Sequence, residues 1–257
     1  MIDPIAFNIG PIAVHWYGIS YGVALIVSIW ILTRLNKKAK VFKDNEQIFD
    51  FMFWVFLLGI IVGGRLGYVF FYNLPFYLQN PLDTLKVWDG GMSFHGGLIA
   101  ALLVSYFYTK KHKIDYLKMA DMVVVPGALA TSFGRVANFI NRELVGREVL
   151  SENWQWLGVD SGDGMLRYPS QLFQAAAGVV IFIILLIIFR KSPKRGVLFS
   201  SYFILQGSFR FLIEFFRAPD AHLGFQALGL TRGQWLSLVV VLGGVVALGW
   251  MQKRKKV

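Results

Sequence analysis

Seven runs of apolar residues, near 17–34, 48–72, 94–109, 117–140, 170–189, 197–216 and 234–251, limit what this chain can fold into. Each is close to the length, about 17 to 25 residues, that a helix needs to cross roughly 30 Å of hydrocarbon. In lipid, no water bonds the backbone N–H and C=O groups, so such a segment satisfies them within a helix. Composition agrees: 56% of the residues are hydrophobic and 16% charged, with 23 Phe, 10 Tyr and 8 Trp, too apolar for a soluble domain of 257 residues. The expectation is an all-α polytopic membrane protein, about seven transmembrane helices in a single membrane domain over 1–257. No basic start precedes the first run, and Asp3, Pro4 and Pro11 interrupt the approach to it, so no cleavable signal peptide is expected.

The basic residues fall in alternate gaps between the runs. Arg34, Lys37, Lys38, Lys40 and Lys43 fill the first such gap, Lys110, Lys111, Lys113 and Lys118 the next. Arg190, Lys191, Lys194 and Arg195 follow, then Lys253, Arg254, Lys255 and Lys256. These gaps hold 17 of the 26 basic residues and 5 of the 15 acids, a net +12 against −1 for the rest. By the positive-inside rule they face the cytoplasm, which predicts the N-terminus outside and the C-terminus inside. The same pattern accounts for the net charge of +11 through an anionic leaflet, so no nucleic-acid partner is expected. With no cysteine, the chain has no disulfide and no thiol nucleophile of its own. The motifs of zinc proteases, P-loop NTPases and serine hydrolases are missing, so no metal or cofactor is expected.

Four of the remaining basic residues are arginines inside or at the ends of runs: Arg65, Arg135, Arg210 and Arg217. The predicted orientation sets the first three beneath the outer surface, level with His15, Tyr17 and His95 on helices running the other way. Ionisable groups at that depth are costly unless paired around an interior cavity, so they are candidates for function. Gln206, Arg210, Glu214 and Arg217 recur at helical spacing and form one polar stripe, in which Glu214 can hold Arg210. Arg135 and Asn138 stack one turn apart on the fourth helix, and Asn141 or Arg142 continues that face. Gly59, Gly63 and Gly67 recur every fourth residue, which lets a neighbouring helix approach closely.

His95, set between Gly90, Gly91, Gly96 and Gly97, is the side chain best matched to accepting a proton near neutral pH. His112 reads as a solvated loop residue and His222 as one in an outer loop. Guanidinium groups with a histidine and asparagines at headgroup depth suit a phosphate that stays attached to lipid. The arginines would stabilise it as it leaves, and the histidine would take a proton from an incoming nucleophile. A transporter or flippase of an anionic lipid or small anion is the alternative. It would be expected to place polar groups nearer the midplane, on interrupted helices in repeated halves.

The stretch GRVANFINRELVG, residues 134–146, is similar to the signature of the bacterial prolipoprotein diacylglyceryl transferases. The resemblance continues in IGPIAVHWYGISY, GGRLGYV, GGMSFHGGL, RYPSQLFQ and FRFLIEFFRAPD, so it covers essentially the whole chain. It implies transfer of an sn-1,2-diacylglyceryl group from phosphatidylglycerol to the thiol of a lipobox cysteine in a preprolipoprotein. A thioether forms and glycerol 1-phosphate leaves, the first step of bacterial lipoprotein maturation, at the cytoplasmic (inner) membrane with the site towards the outer leaflet. On that likeness His95, Arg135 and Arg210 are the catalytic candidates. Tyr17, Arg65, Asn138, Glu143, Gly146, Glu214 and Arg217 complete the substrate site. Gln206 and Gln174 depart from the tyrosine and glutamate common at those positions. Residues 74–88 are expected to form an interfacial arm and 141–168 a small extracytoplasmic head.

Overall fold

The structure, a computed structural model, describes residues 3–10, 12–160, 162, 164–219 and 224–253. Pro11, Asp220, His222, Arg254, Lys255 and Lys256, together with Ser161 and Asp163 of the expected head, lie outside the described residues.

Among the described residues, seven long helices occupy the seven apolar runs: α1 (Trp16–Ala39), α2 (Asn45–Tyr72), α4 (Phe94–Lys111), α5 (Tyr116–Ile140), α6 (Ser170–Arg190), α7 (Val197–Ile213) and α8 (Arg232–Lys253). A short α3 (Leu74–Gln79) lies between α2 and α4. Among the described residues, five of the helices (α1, α2, α5, α6 and α8) are long and apolar enough to cross a membrane. α7 is apolar but has 17 residues, and α4 has 18 with two lysines in its last turn. The chain is a multi-pass membrane protein of the all-α class.

Residues with the right chemistry begin and end these helices. Asp44 caps α2 by accepting from the Gln47 amide at 2.8 Å, and Ser93 caps α4 by accepting from Gly96 at 3.1 Å. Lysine or arginine closes α1, α4, α6 and α8, where a cation offsets the exposed carbonyls.

The chain divides into two compact units, Leu32–Met119 in one and Met1–Ile31 with Ala120–Val257 in the other. In the first, α2 packs against α4 through the glycine series. A Cβ on Gly59 would meet Ala101, one on Gly63 would meet Ala100, and one on Gly67 would meet Gly96. The two backbones are therefore closer than side chains allow, as the spacing of four residues predicts. The centre of α2, Val55–Gly63, is wound as a π-helix, which no feature of the sequence had indicated.

In the second unit a hairpin of β1 (Ile5–Ile9) and β2 (Ile12–His15) leads into α1. Ser132 of α5 donates to the Ala175 carbonyl of α6 at 2.8 Å. α7 and α8 interlock where Gly207 faces Val241 and Gly244 faces Ile204. Asp121 of α5, buried, accepts from the Gly196 and Phe199 amides and so caps α7 from a different helix.

The helix expected over 197–216 ends earlier, at Ile213, with Glu214 as its C-cap and a turn following. The cause lies elsewhere in the chain: Arg147 donates its amide to the Phe216 carbonyl at 2.9 Å, and Ala218 donates to Val145 at 3.2 Å. Those pairings draw 216–218 out of the helix and into extended contact with 145–147.

Candidate functional site

The signature stretch closes α5 and folds back on itself. Asn138, buried on the last turn, donates its Nδ2 to Glu143 Oε2 at 2.8 Å and to the Tyr17 hydroxyl at 3.3 Å. Its Oδ1 accepts from Arg135 Nη1 at 3.4 Å. One amide thus ties together Tyr17, Arg135 and Glu143 from three places in the chain. The backbone supports this: the Glu143 amide donates to the Asn138 carbonyl at 2.9 Å, and Gln171 of α6 donates its Nε2 to the Glu143 carbonyl at 2.7 Å. Arg142 and Leu144 both adopt left-handed backbone, with φ of 57° and 54°, which turns the chain sharply at the helix end.

Glu214 is the centre of a second group. It is 2% exposed, and its carboxylate lies 3.2 Å from Arg210 Nη2 and 3.1 Å from Arg217 Nη1. Thr231 adds a third donor, its hydroxyl 3.2 Å from Oε1. A Cβ on Gly233 would strike the same carboxylate, so the glycine leaves the space that Glu214 fills. Burying this carboxylate is tolerable because both of its oxygens face a guanidinium. The guanidinium of Arg135 lies within electrostatic range of Arg210 and Arg217, so three positive groups share this part of the unit.

Gly146 sits between these groups in sequence and is buried. It forms a bridge with Arg217, and a Cβ on it would fall on the Tyr168 carbonyl. Arg147 Nε donates to the Arg217 carbonyl at 2.9 Å. The position therefore admits only a residue without a side chain, because two backbones pass on either side of it.

Arg65 and His95 stand in the other unit. Arg65 is buried on α2, and its guanidinium donates to the main-chain carbonyls of Asp83 (2.6 Å), Thr84 (3.0 Å), Gly90 and Gly91 (3.3 Å). It also lies 5.2 Å from the centre of the Tyr77 ring. His95 is the second residue of α4, exposed, just after the Ser93 cap. Four carbonyls of 83–91 converging on one guanidinium fix the segment that precedes His95.

A family description of the prolipoprotein diacylglyceryl transferases matches residues 4–250. The chain belongs to this family. It is 40% identical to the phosphatidylglycerol–prolipoprotein diacylglyceryl transferase of Pseudoalteromonas atlantica, over 99% of this chain and 91% of the relative. The proteins of the same name from Azospirillum brasilense and Sodalis glossinidius are 41% and 38% identical, over 98% of this chain and 96% and 94% of those proteins.

Within this diacylglyceryl transferase, sequence reasoning missed Thr231, Gly233 and Gln171, which hold Glu214 and Glu143 in place. None carries charge, and each lies far along the chain from its partner. Gln171 lies within RYPSQLFQ, one of the stretches that carry the resemblance, and Thr231 stands just before α8, where a small hydroxyl residue commonly serves as a cap.

Proposed function

We propose that the chain transfers the sn-1,2-diacylglyceryl group of phosphatidylglycerol to the thiol of a lipobox cysteine in a preprolipoprotein. The observation that carries this is its end-to-end similarity to relatives named for that activity. In this reading His95 takes the thiol proton, and the sulfur attacks the glycerol carbon that bears the phosphoester. A C–S bond forms, the C–O bond breaks, and glycerol 1-phosphate departs. The phosphate passes from one negative charge to two, and that gain is what Arg135 and Arg210 stabilise. Asn138 orients Arg135, Tyr17 and Glu143 together; Glu214 holds Arg210 and Arg217; Gly146 carries the chain past the site. The absence of cysteine fits, because the substrate supplies the sulfur.

The reading extends to the surroundings. The segment 74–88 is an interfacial arm, supported by the exposed Leu78, Leu82, Leu85 and Trp88. Arg65 acts through the carbonyls by which it holds that arm. The region 141–168 is an extracytoplasmic head, supported by the exposed, stacked Trp154 and Trp156. The protein resides in the bacterial cytoplasmic (inner) membrane, with the site towards the outer leaflet, as its basic loops suggest. Nothing observed favours the transporter alternative.

The test is direct: purified protein, phosphatidylglycerol vesicles and a lipobox peptide should yield a peptide heavier by one diacylglyceryl group. Arg135→Ala should lower the rate by roughly a hundredfold or more while the protein stays folded. No mass gain with folded parent protein would sink the proposal.

A further inference from the structure

At the opposite end of α4 from His95, about 25 Å away by helical rise, the unit Leu32–Met119 contains a cavity of about 490 Å³ that the transfer reaction does not use. Its walls come from the α1–α2 and α4–α5 loops and the first turns of α2 and α5, and four of its lining residues are Lys40, Lys43, Lys113 and Lys118. Gln47, in the first turn of α2, and His112, just past α4, add polar atoms, their side chains 3.5 Å apart. Asp115 is the one acid in the lining, leaving it a net +3. Asp115 is also committed to the backbone: its Oδ1 accepts from the Leu117 amide at 3.0 Å and the Lys118 amide at 3.1 Å.

The basin is built rather than accidental. Asn36, buried, accepts from the Val41 and Phe42 amides at 2.9 and 3.0 Å and donates to the Phe42 carbonyl at 2.8 Å. Phe42 packs on Phe51, Phe51 on Tyr108, and Tyr108 stacks on His112 with ring centres 4.3 Å apart. The Tyr108 hydroxyl donates to Asp50 at 2.8 Å. Both loops are thereby pinned to one rigid stack.

Lys40 and Lys113, each just past a helix end, have left-handed backbone with φ of 51° and 55°. Glycine is the residue that takes this conformation without cost. Setting an insertion topology needs only positive charge somewhere in the loop. It does not need two lysines in strained conformations facing one cavity.

We propose that this cavity is a binding site for a phosphate-bearing anion, either the head group of an anionic phospholipid or a soluble phosphate ester. Lysines supply point charges suited to phosphate oxygens, and the volume suits a substituted phosphate better than a bare ion. A basic pocket at the helix ends on the face assigned to the cytoplasm is also where anionic lipid is concentrated.

The experiment is native mass spectrometry of the full chain titrated with phosphatidic acid, parent against the variant Lys40→Gln/Lys43→Gln/Lys113→Gln/Lys118→Gln. None of these lysines belongs to the transfer site, so retained transferase activity reports folding. The variant should hold one anionic lipid fewer, with affinity for that site down on the order of tenfold or more. Displacement of the lipid by glycerol 3-phosphate at comparable concentration would identify a soluble ester as the ligand. Persistence of the lipid would identify the head group. Equal lipid binding by parent and folded variant would overturn the proposal. Should the variant fail to fold, photo-crosslinking of the unaltered protein with a head-group-reactive phosphatidic acid decides. Label must then appear in peptides spanning 40–47 and 112–118, and label confined to other peptides would overturn it.

Discussion

Glu214 has the most exacting surroundings of any side chain in the site. It is buried, and two guanidiniums and one hydroxyl converge on it. Replacing it with alanine leaves Arg210 and Arg217 close together with no negative charge between them. Breaking a buried pair in this way costs about 3 to 5 kcal/mol. Glu214→Ala should therefore unfold at a clearly lower temperature in detergent. Glu214→Gln keeps the volume and an oxygen for Thr231 and should lose less stability, yet still lose transfer activity, because Arg210 is no longer held by charge. Equal melting temperatures for Glu214→Ala and the parent would refute the account. Residues like Glu214 were legible in the sequence because a carboxylate spaced between arginines on an apolar run has few other purposes. Thr231 and Gly233 were not, because one hydroxyl and one missing side chain have meaning only once Glu214 is known to arrive beside them.

At the scale of elements, the contact between α2 and α4 is set by what is absent. A Cβ at Gly63 would collide with Ala100, while one at Gly243 of α8 meets nothing among the described residues. Gly63→Ala must push two helices apart and should cost roughly 1 to 3 kcal/mol, the usual price of overpacking. Gly243→Ala should be neutral or stabilising by up to about 1 kcal/mol, since alanine is the better helix former. Thermal unfolding of the two variants side by side separates close approach from helix propensity. A Gly63→Ala protein as stable as the parent would mean that the helices are free to separate. The glycine spacing made this contact readable, because period four on a helix defines a face. The end of α7 was not readable: Phe215 and Phe216 extend its run past Glu214, and only the hydrogen bonds from Arg147 and Ala218, one of them about seventy residues away in the chain, stop the helix at Ile213. The partners of Arg65 were unreadable for a related reason: they are main-chain carbonyls of 83–91, which have no sequence signature.

For the whole molecule, hydropathy recovered the seven long helices of the described residues because hydrocarbon thickness selects on length and apolarity alone. Orientation follows from a different quantity, the asymmetry of charge between loops. Basic loops resist translocation, so the gaps around Lys43 and Lys191 should remain in the cytoplasm, and those around Asn80 and Gln155 should emerge outside. The lack of cysteine makes the test clean, since each introduced thiol is the only one present. Asn80, Gln155, Lys43 and Lys191 are exposed, so a thiol at any of them is accessible to reagent. In intact spheroplasts a membrane-impermeant maleimide should label Asn80→Cys and Gln155→Cys. Lys43→Cys and Lys191→Cys should react only after the membrane is opened. Labelling of Lys43→Cys in sealed cells would reverse the topology. It would also move the Arg135 and Arg210 site to the leaflet opposite the one where the proposed reaction meets its lipoprotein substrate, so the mechanism and the orientation stand or fall on the same four thiols.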